Sequence, residues 1–434
     1  MKRIAYSQLL KWKEKSGRKP LIINGARQVG KTWLMKDFGR NEFQNVVYIN
    51  FDNNTVAKEI FEPDYNIPRI ISLLKILSKT NIEPDNTLII FDEIQECPKA
   101  LGSLKYFCED APEYYVMAAG SLLGIALHSG TSFPVGKVEF LTLFPMTFAE
   151  FLEASGNSML YDLISSENLS FISPFSEKLK LLLKKYYYVG GMPEAVKTFI
   201  DTDDLYKVRE IQKGLLLYYE NDFSKHAPKD QIPRIQMVWN SIPSQLAKEN
   251  RKFIYGVVQK GARAKEFELA IQWLTDYGLI NKSIRISKPH MPLIAYMDQS
   301  VFKIYMSDVG LLGAKSDLPA VSVIEGNRIF TEFKGALTEQ FVAQELRTAG
   351  FSLYYYSTEH SDGEIDFVVQ NENQIIPLEV KAEENLRAKS LRAYCSKYSP
   401  DVAIRTSMSD YRKEEWMTNV PLYVLTEYMK KLKN

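Results

Sequence analysis

Apolar positions along the chain change rhythm twice. Between about residues 18 and 155, short β-branched runs at Leu21–Asn24, Val46–Phe51, Leu88–Phe91 and Tyr115–Ala119 alternate with stretches of helical periodicity. Short, almost wholly apolar runs separated by helices predict strands buried on both faces of a parallel sheet, an α/β fold. From about 156 to 320 the apolar spacing lengthens into helical repeats rich in Lys, Tyr and Leu, which predicts a mainly α region. After about 330 the order becomes a helix over Ala336–Ala349, strands over Ser352–Tyr356, Ile365–Val369 and Ile375–Val380, a helix near Lys389–Tyr398 and a strand over Val402–Arg405. This reads as a second, separate α/β unit. There is no internal repeat and no low-complexity tract.

The first predicted strand runs into Gly25-Ala26-Arg27-Gln28-Val29-Gly30-Lys31-Thr32, the pattern G-x-x-x-x-G-K-[ST] of a phosphate-binding loop. Its glycines let successive backbone N–H groups face a polyphosphate, Lys31 offers a cation to the β and γ oxygens, and the Thr32 hydroxyl can ligate Mg²⁺. The apolar run Leu88-Ile89-Ile90-Phe91 ends in Asp92-Glu93, a Walker B arrangement. There Asp92 is expected to hold Mg²⁺ through its water shell, and Glu93 to orient and deprotonate the attacking water. A third run ends in Gly120-Ser121, where Ser121 is placed to sense the γ-phosphate.

Composition narrows the function classes. The 434 residues carry a formal net charge of +1 with 45% hydrophobic and 25% charged residues, which excludes a basic tail binder, an acidic solvating protein and a mostly disordered chain. No apolar run approaches membrane-span length, and Met1 to Ser16 is charged where a signal peptide is apolar, so a cytoplasmic protein is expected. Three cysteines without metal-site spacing support neither a disulfide framework nor structural zinc.

Charge is local instead. Gln231–His290 holds ten Lys and Arg against four acids, a net of +6. Within it Phe267, Ala270, Ile271, Leu274 and Tyr277 form one apolar helix face, with Arg263 and Lys265 at the helix start, and Leu279–Ser287 reads as a strand pair or wing. Helices followed by a wing describe a winged-helix module, which lays a helix in the major groove of duplex DNA and basic residues on phosphates. Farther on, Glu364–Gln370 and Ile375–Lys381 read as a hairpin turning around Glu372 and Asn373, in which facing positions sum to 745. Asp366 then faces Glu379, and Glu364 faces Lys381. Opposed carboxylates repel unless a divalent cation lies between them.

Taken together, Gly25–Thr32, Ile90–Gln95, Gly120-Ser121, Phe140–Phe151 with its Pro145-Met146-Thr147-Phe148 centre, Tyr188–Glu194, Ile365-Asp366 and Glu379-Val380-Lys381 resemble AAA+-type ATPases of bacteria and archaea fused to a C-terminal domain of unknown function with a restriction-endonuclease-like fold. The resemblance implies a PD-(D/E)xK nuclease site in which Asp366 and Glu379 are metal ligands, Lys381 is the catalytic lysine and Glu339 is the extra acid. Ile365 stands where such sites usually have proline. Lys137 stands where similar proteins usually carry an arginine that could act in trans in an oligomer, and lysine lacks the planar fork of arginine. The expected organisation is a P-loop ATPase domain over 1–155, a helical linker or lid over 156–230, a winged-helix-like DNA-binding region over 231–325 and a nuclease-like domain over 326–434. The expected function is an ATP- and Mg²⁺-dependent, DNA-associated ATPase, possible as a homo-oligomer, whose nucleotide state controls the last two regions. The alternative is a nucleotide-dependent switch or chaperone-like regulator of a protein partner with a non-cutting nuclease fold.

Overall fold

The computed structural model describes residues 1–120, 133–166, 168–248, 251–325, 331–358, 363–383 and 388–433. The chain divides into two compact units, one of Lys2–Phe144 with Asp276–Gly278, the other of Pro145–Thr275 and Leu279–Asn434 with Met1.

The first unit is built on five strands, β1 (Leu21–Asn24), β2 (Asn45–Asn50), β3 (Thr87–Asp92), β4 (Tyr115–Ala119) and β5 (Glu139–Thr142). They pair in the order β2-β3-β4-β1-β5, every pair parallel. Strand alternation sends Ile22, Val47, Ile49, Ile89, Phe91, Val116 and Ala118 to one face, where helices Thr55–Phe61, Ile67–Ser78 and Pro98–Asp110 bury them. Helix Lys31–Glu42 packs on β2, β3 and β4 and buries Leu34, Met35 and Phe38. With crossover helices on the sheet, the central strands are apolar on both faces, as their sequence requires. The parallel register aligns strand ends: Ile23 lies beside Ala119, and Asp92 beside both Ala119 and Asn50. Gly25, Glu93 and Gly120 therefore follow their strands at one carboxyl edge, where ligands of open α/β sheets bind.

The second unit joins a set of helices to an eight-stranded mixed sheet. Its strands are β6 (Ile280–Ile286), β7 (Met297–Met306), β8 (Tyr354–Ser357), β9 (Glu364–Asn371), β10 (Gln374–Val380), β11 (Ile404–Ser407), β12 (Arg412–Lys413) and β13 (Thr418–Pro421), in the order β12-β13-β11-β10-β9-β8-β6-β7. Helix Lys389–Tyr398 covers one core of this sheet through Leu391 and Tyr394, against Ile365, Val368, Tyr354 and Ile286. Helix Thr331–Thr348 packs against β7 and β10.

The expectation of a separate second α/β unit is revised. The unit boundary falls between Phe144 and Pro145, because helix Phe148–Ala154 packs with Tyr186 and Phe199 rather than with the first sheet. The divisions expected at 230 and 325 lie inside one compact unit. Leu279–Ser287, expected as a strand pair or wing, holds the one strand β6, which pairs antiparallel with β7 and parallel with β8, with Ile284 beside Tyr354 and Ile286 beside Tyr356. The second α/β region is therefore not separate from the region before it. A parallel partner spares β6 an unpaired edge, and apolar Ile286 is buried in the shared core.

Candidate functional site

Local backbone geometry explains why glycine occupies the ends of the phosphate loop. Gly25 has φ of 146°, and a Cβ there would lie 2.2 Å from the carbonyl oxygen of Leu143. Gly30 sits at φ of 96° as N-cap of helix Lys31–Glu42, and Gln28 also has a left-handed φ of 65°. The turn delivers Lys31 and Thr32 to the first turn of that helix, where unpaired N–H groups favour anions.

The expected catalytic groups converge here. The buried Lys31 ammonium donates to the carbonyls of Gly25 at 2.8 Å and Ala26 at 2.9 Å, and burial pushes its pKa down to about 8 against the pull of Glu93 and Asp92. Thr32 Oγ1 donates to Asp92 Oδ2 at 2.7 Å, while Asp92 Oδ1 accepts the Glu93 N–H at 3.1 Å. Glu93 itself has a left-handed backbone, φ 49° and ψ 46°, which turns its carboxylate out of the strand direction, and its Oε2 accepts from Gln95 Nε2 at 2.6 Å. Hydroxyl and carboxylate oxygens at this spacing suit a hard divalent cation such as Mg²⁺, so Thr32 and Asp92 fit that role. Ser121 lies outside the described residues; Gly120 follows β4 at the same edge.

Three contacts escaped the sequence reading. The Tyr48 hydroxyl also donates to Asp92 Oδ2, at 2.9 Å. Arg3, buried, donates from Nη1 to the Val29 carbonyl at 2.8 Å and from Nη2 to Phe144 at 2.6 Å, bracing the phosphate loop from behind. Gln95 holds Glu93. Only Tyr48 had a readable signal, the alternation of Tyr48 and Asn50 with apolar Val47 and Ile49. Lys137 forms an ion pair of 2.8 Å with Glu109 of its own chain.

In the second unit the hairpin register is as expected: Gln374 faces Asn371 and Leu378 faces Phe367, each pair summing to 745. The ladder ends there. Asp366 Oδ2 accepts the Val380 N–H at 2.7 Å, Glu379 Oε1 pairs with Lys381 at 2.8 Å, and Glu379 Oε2 is buried without a partner. Glu364 does not face Lys381: it pairs with Ser357 of β8 and binds Lys303 at 2.6 Å, while the Lys381 N–H goes to Thr406 on the other side.

Glu339 and Asp366 come within hydrogen-bonding reach of each other, but Arg251 of the basic segment and Lys303 of β7 already pair with Glu339. Glu339 binds Arg251 through Oε1, and its Oε2 accepts from Tyr305 at 3.0 Å and lies 3.7 Å from the fully buried Lys303. Gly335, one turn before Glu339, makes the room: a Cβ there would stand 2.8 Å from Arg251 Nη2. Burial and the neighbouring Glu339 push Asp366 well above the usual carboxylate range. Burial also opposes the charge on Glu339, but Lys303 and Arg251 hold it below its ordinary value. The cluster is thus neutralised internally. Among the described residues no group of three or more His, Cys, Asp or Glu side chains could hold a metal ion, and Glu339 as placed here does not fit that role.

Of the basic segment, Arg251 serves Glu339, Arg285 pairs with Asp298 at 2.6 Å and Lys282 lies over the Phe302 ring. Lys260, Arg263 and Lys265 are exposed at the start of helix Ala264–Asp276, whose outward face also carries Glu266, Glu268 and Leu269.

Comparison with known proteins agrees with the first half of this picture. Residues 17–152 match the family model AAA domain (AAA_14), and residues 180–322 and 334–425 match two domains of unknown function, DUF8612 and DUF4143. Among curated proteins there is no match. Solved structures with similarity include the Walker-type ATPase PABY2304 of Pyrococcus abyssi, at 14% identity and a TM-score of 0.43 over 73% of this chain and 95% of that one. The ORC1 protein of Aeropyrum pernix, solved in complex with DNA, follows at 14% identity and 0.30, over 74% and 94%. Cdc6p from Pyrobaculum aerophilum gives 11% and 0.26, over 75% and 95%. The chain is an ATPase, and the match to the AAA domain covers its residues 17–152.

Proposed function

We propose that the chain hydrolyses ATP with Mg²⁺ at the Gly25–Thr32 loop, and that its nucleotide state controls the association of the Gln231–His290 region and the nuclease-like C-terminal domain with double-stranded DNA. The observation that carries this reading is the meeting of Lys31, Thr32, Asp92 and Glu93 at one sheet edge. Lys31 exchanges the Gly25 and Ala26 carbonyls for phosphate oxygens. Thr32 and Asp92 would hold Mg²⁺, which neutralises charge on the β and γ oxygens when bound. Glu93, released from Gln95, orients a water for attack on the γ-phosphorus and takes its proton as the bond to ADP breaks.

DNA association rests on the outward Lys260, Arg263 and Lys265, and on the order of elements: helices Ile232–Leu246, Tyr255–Val258 and Ala264–Asp276, then the β6–β7 hairpin, is the winged-helix order. A trans role for Lys137 in a homo-oligomer requires it to leave Glu109. The occupation of Glu339 by Arg251 and Lys303 favours a second reading for the C-terminal domain, a nuclease-like fold that binds without cutting and serves a nucleotide-dependent switch. ATP turnover measured with and without duplex DNA, beside a Mn²⁺-dependent plasmid nicking assay, tests both. Stimulated turnover with nicking supports cutting through Asp366, Glu379 and Lys381. Stimulation without nicking supports the non-cutting reading, and turnover indifferent to DNA contradicts DNA association.

A further inference from the structure

We infer that Tyr48 is a positioning residue for the metal-dependent step of hydrolysis, its hydroxyl fixing the carboxylate of Asp92 in the orientation that meets the cation. Strand β2 is the edge strand of the first sheet, and its alternation buries Val47 and Ile49 in one core while Tyr48 and Asn50 turn to the opposite face. Tyr48 lies beside Ile90, two residues before Asp92 along β3. From there its hydroxyl reaches Asp92 Oδ2 at 2.9 Å, the same oxygen that accepts Thr32 Oγ1 at 2.7 Å. Asn50 Nδ2 donates to the phenol oxygen at 3.4 Å, which leaves the phenol hydrogen for the carboxylate.

The ring is held independently of the hydroxyl. Lys36 Nζ stands 3.4 Å from the Tyr48 ring centroid. Thr32 and Lys36 are four residues apart on helix Lys31–Glu42, so one face of that helix grips both the carboxylate and the ring. Phenylalanine would serve the ring contact as well as tyrosine. The hydroxyl is the part that touches the nucleotide site. A phenol keeps its proton at physiological pH, and the hydrogen bond from Asn50 to the phenol oxygen leaves that proton for Asp92.

The consequence follows from which bonds survive loading. Thr32 is the donor expected to turn toward a bound cation, and Asp92 then loses one of its two side-chain anchors. Tyr48 keeps the other. Partners of this kind orient the groups around a metal, and removing one typically costs about 10–100-fold in metal affinity or activity.

Tyr48→Phe tests the inference in the full chain. Binding of a fluorescent ADP in EDTA should stay within about twofold of wild type, because no metal is involved. Mn²⁺ affinity of the ADP complex, read from the electron paramagnetic resonance signal of free Mn²⁺, should fall about tenfold, with kcat lowered similarly and KM for ATP unchanged at saturating metal. Lys36→Gln, which loosens the ring and keeps the hydroxyl, should retain near wild-type Mn²⁺ affinity. Wild-type Mn²⁺ affinity in Tyr48→Phe, an equal loss in Lys36→Gln, or loss of metal-free ADP binding in Tyr48→Phe would each overturn the proposal. The inference rests on Asp92 serving the metal; wild-type protein that binds ADP but no Mn²⁺ would overturn that reading as well.

Discussion

Lys31 shows how one buried charge ties burial to function. Its pKa is pushed down to about 8, so the free site begins to lose its proton just above neutral pH, whereas a bound polyphosphate favours the charged form. Nucleotide affinity should therefore fall as pH rises past about 8, approaching a tenfold loss per pH unit, and titration calorimetry in buffers of different ionisation enthalpy should show proton uptake on binding. Lys31→Ala should bind at least about a hundredfold more weakly and lose that pH dependence; an unchanged affinity contradicts the role of the lysine. In the second unit, fully buried Glu345 accepts from the Phe148 N–H at 3.2 Å and from Thr426, and burial raises its pKa to about 7. A carboxyl whose folded pKa is raised contributes stability that is complete below its unfolded value and is lost as pH rises through the folded value. Glu345→Gln should flatten that loss between about pH 4.5 and 7, a difference of about 3 kcal/mol that urea unfolding at pH 5 and pH 8 can read. Most ATPase-site residues were legible because the phosphate loop is contiguous and its chemistry dictates residue types. Arg3, Arg251 and Lys303 were not, since each reaches its partner from a distant segment, and Tyr48 was signalled only by the alternation of its strand.

Elements explain two motifs that carry no visible chemistry. The Pro145–Phe148 and Tyr188–Glu194 segments meet each other: the Met146 N–H donates to the Gly191 carbonyl at 2.7 Å, and the Gly191 N–H donates to Asp308 Oδ2 at 2.6 Å. A Cβ on Gly191 would stand 2.0 Å from the Met146 carbonyl oxygen, so the backbones can approach this closely only with glycine there. Gly191→Ala should destabilise the second unit by about 3 kcal/mol or leave the protein insoluble. Gly214→Ala, within helix Leu205–His226 where a Cβ meets nothing within 4 Å, should stabilise it by about 0.5–1 kcal/mol. Equal effects in chemical denaturation would contradict the packing argument. The same scale marks the limit of sequence reading. The β9–β10 hairpin was legible to its register because its turn and strands are adjacent. The parallel pairing of β6 with β8 was not, because among the described residues a strand and the three α-helices Val309–Lys315, Ala320–Ile324 and Thr331–Thr348 lie between Ile286 and Tyr354, and strand order depends on contacts that no local pattern records.

For the molecule as a whole, the account joins an ATPase to a region with outward cations. If Arg263 and Lys265 contact phosphates, DNA affinity should fall steeply with salt, and neutralising both should make the log–log slope shallower by about two units; an unchanged slope in a folded variant assigns those residues to solvent. The proposed function depends on hydrolysis at the first sheet edge, and removal of Glu93 is expected to separate binding from chemistry. The direct measurement is single-turnover hydrolysis of γ-labelled ATP by wild type and Glu93→Gln, with bound nucleotide quantified in the same samples. The account expects both proteins to hold ATP comparably and Glu93→Gln to release phosphate at least about a hundredfold more slowly. Equal rates of phosphate release would contradict water activation by Glu93 and, with it, the catalytic site described here.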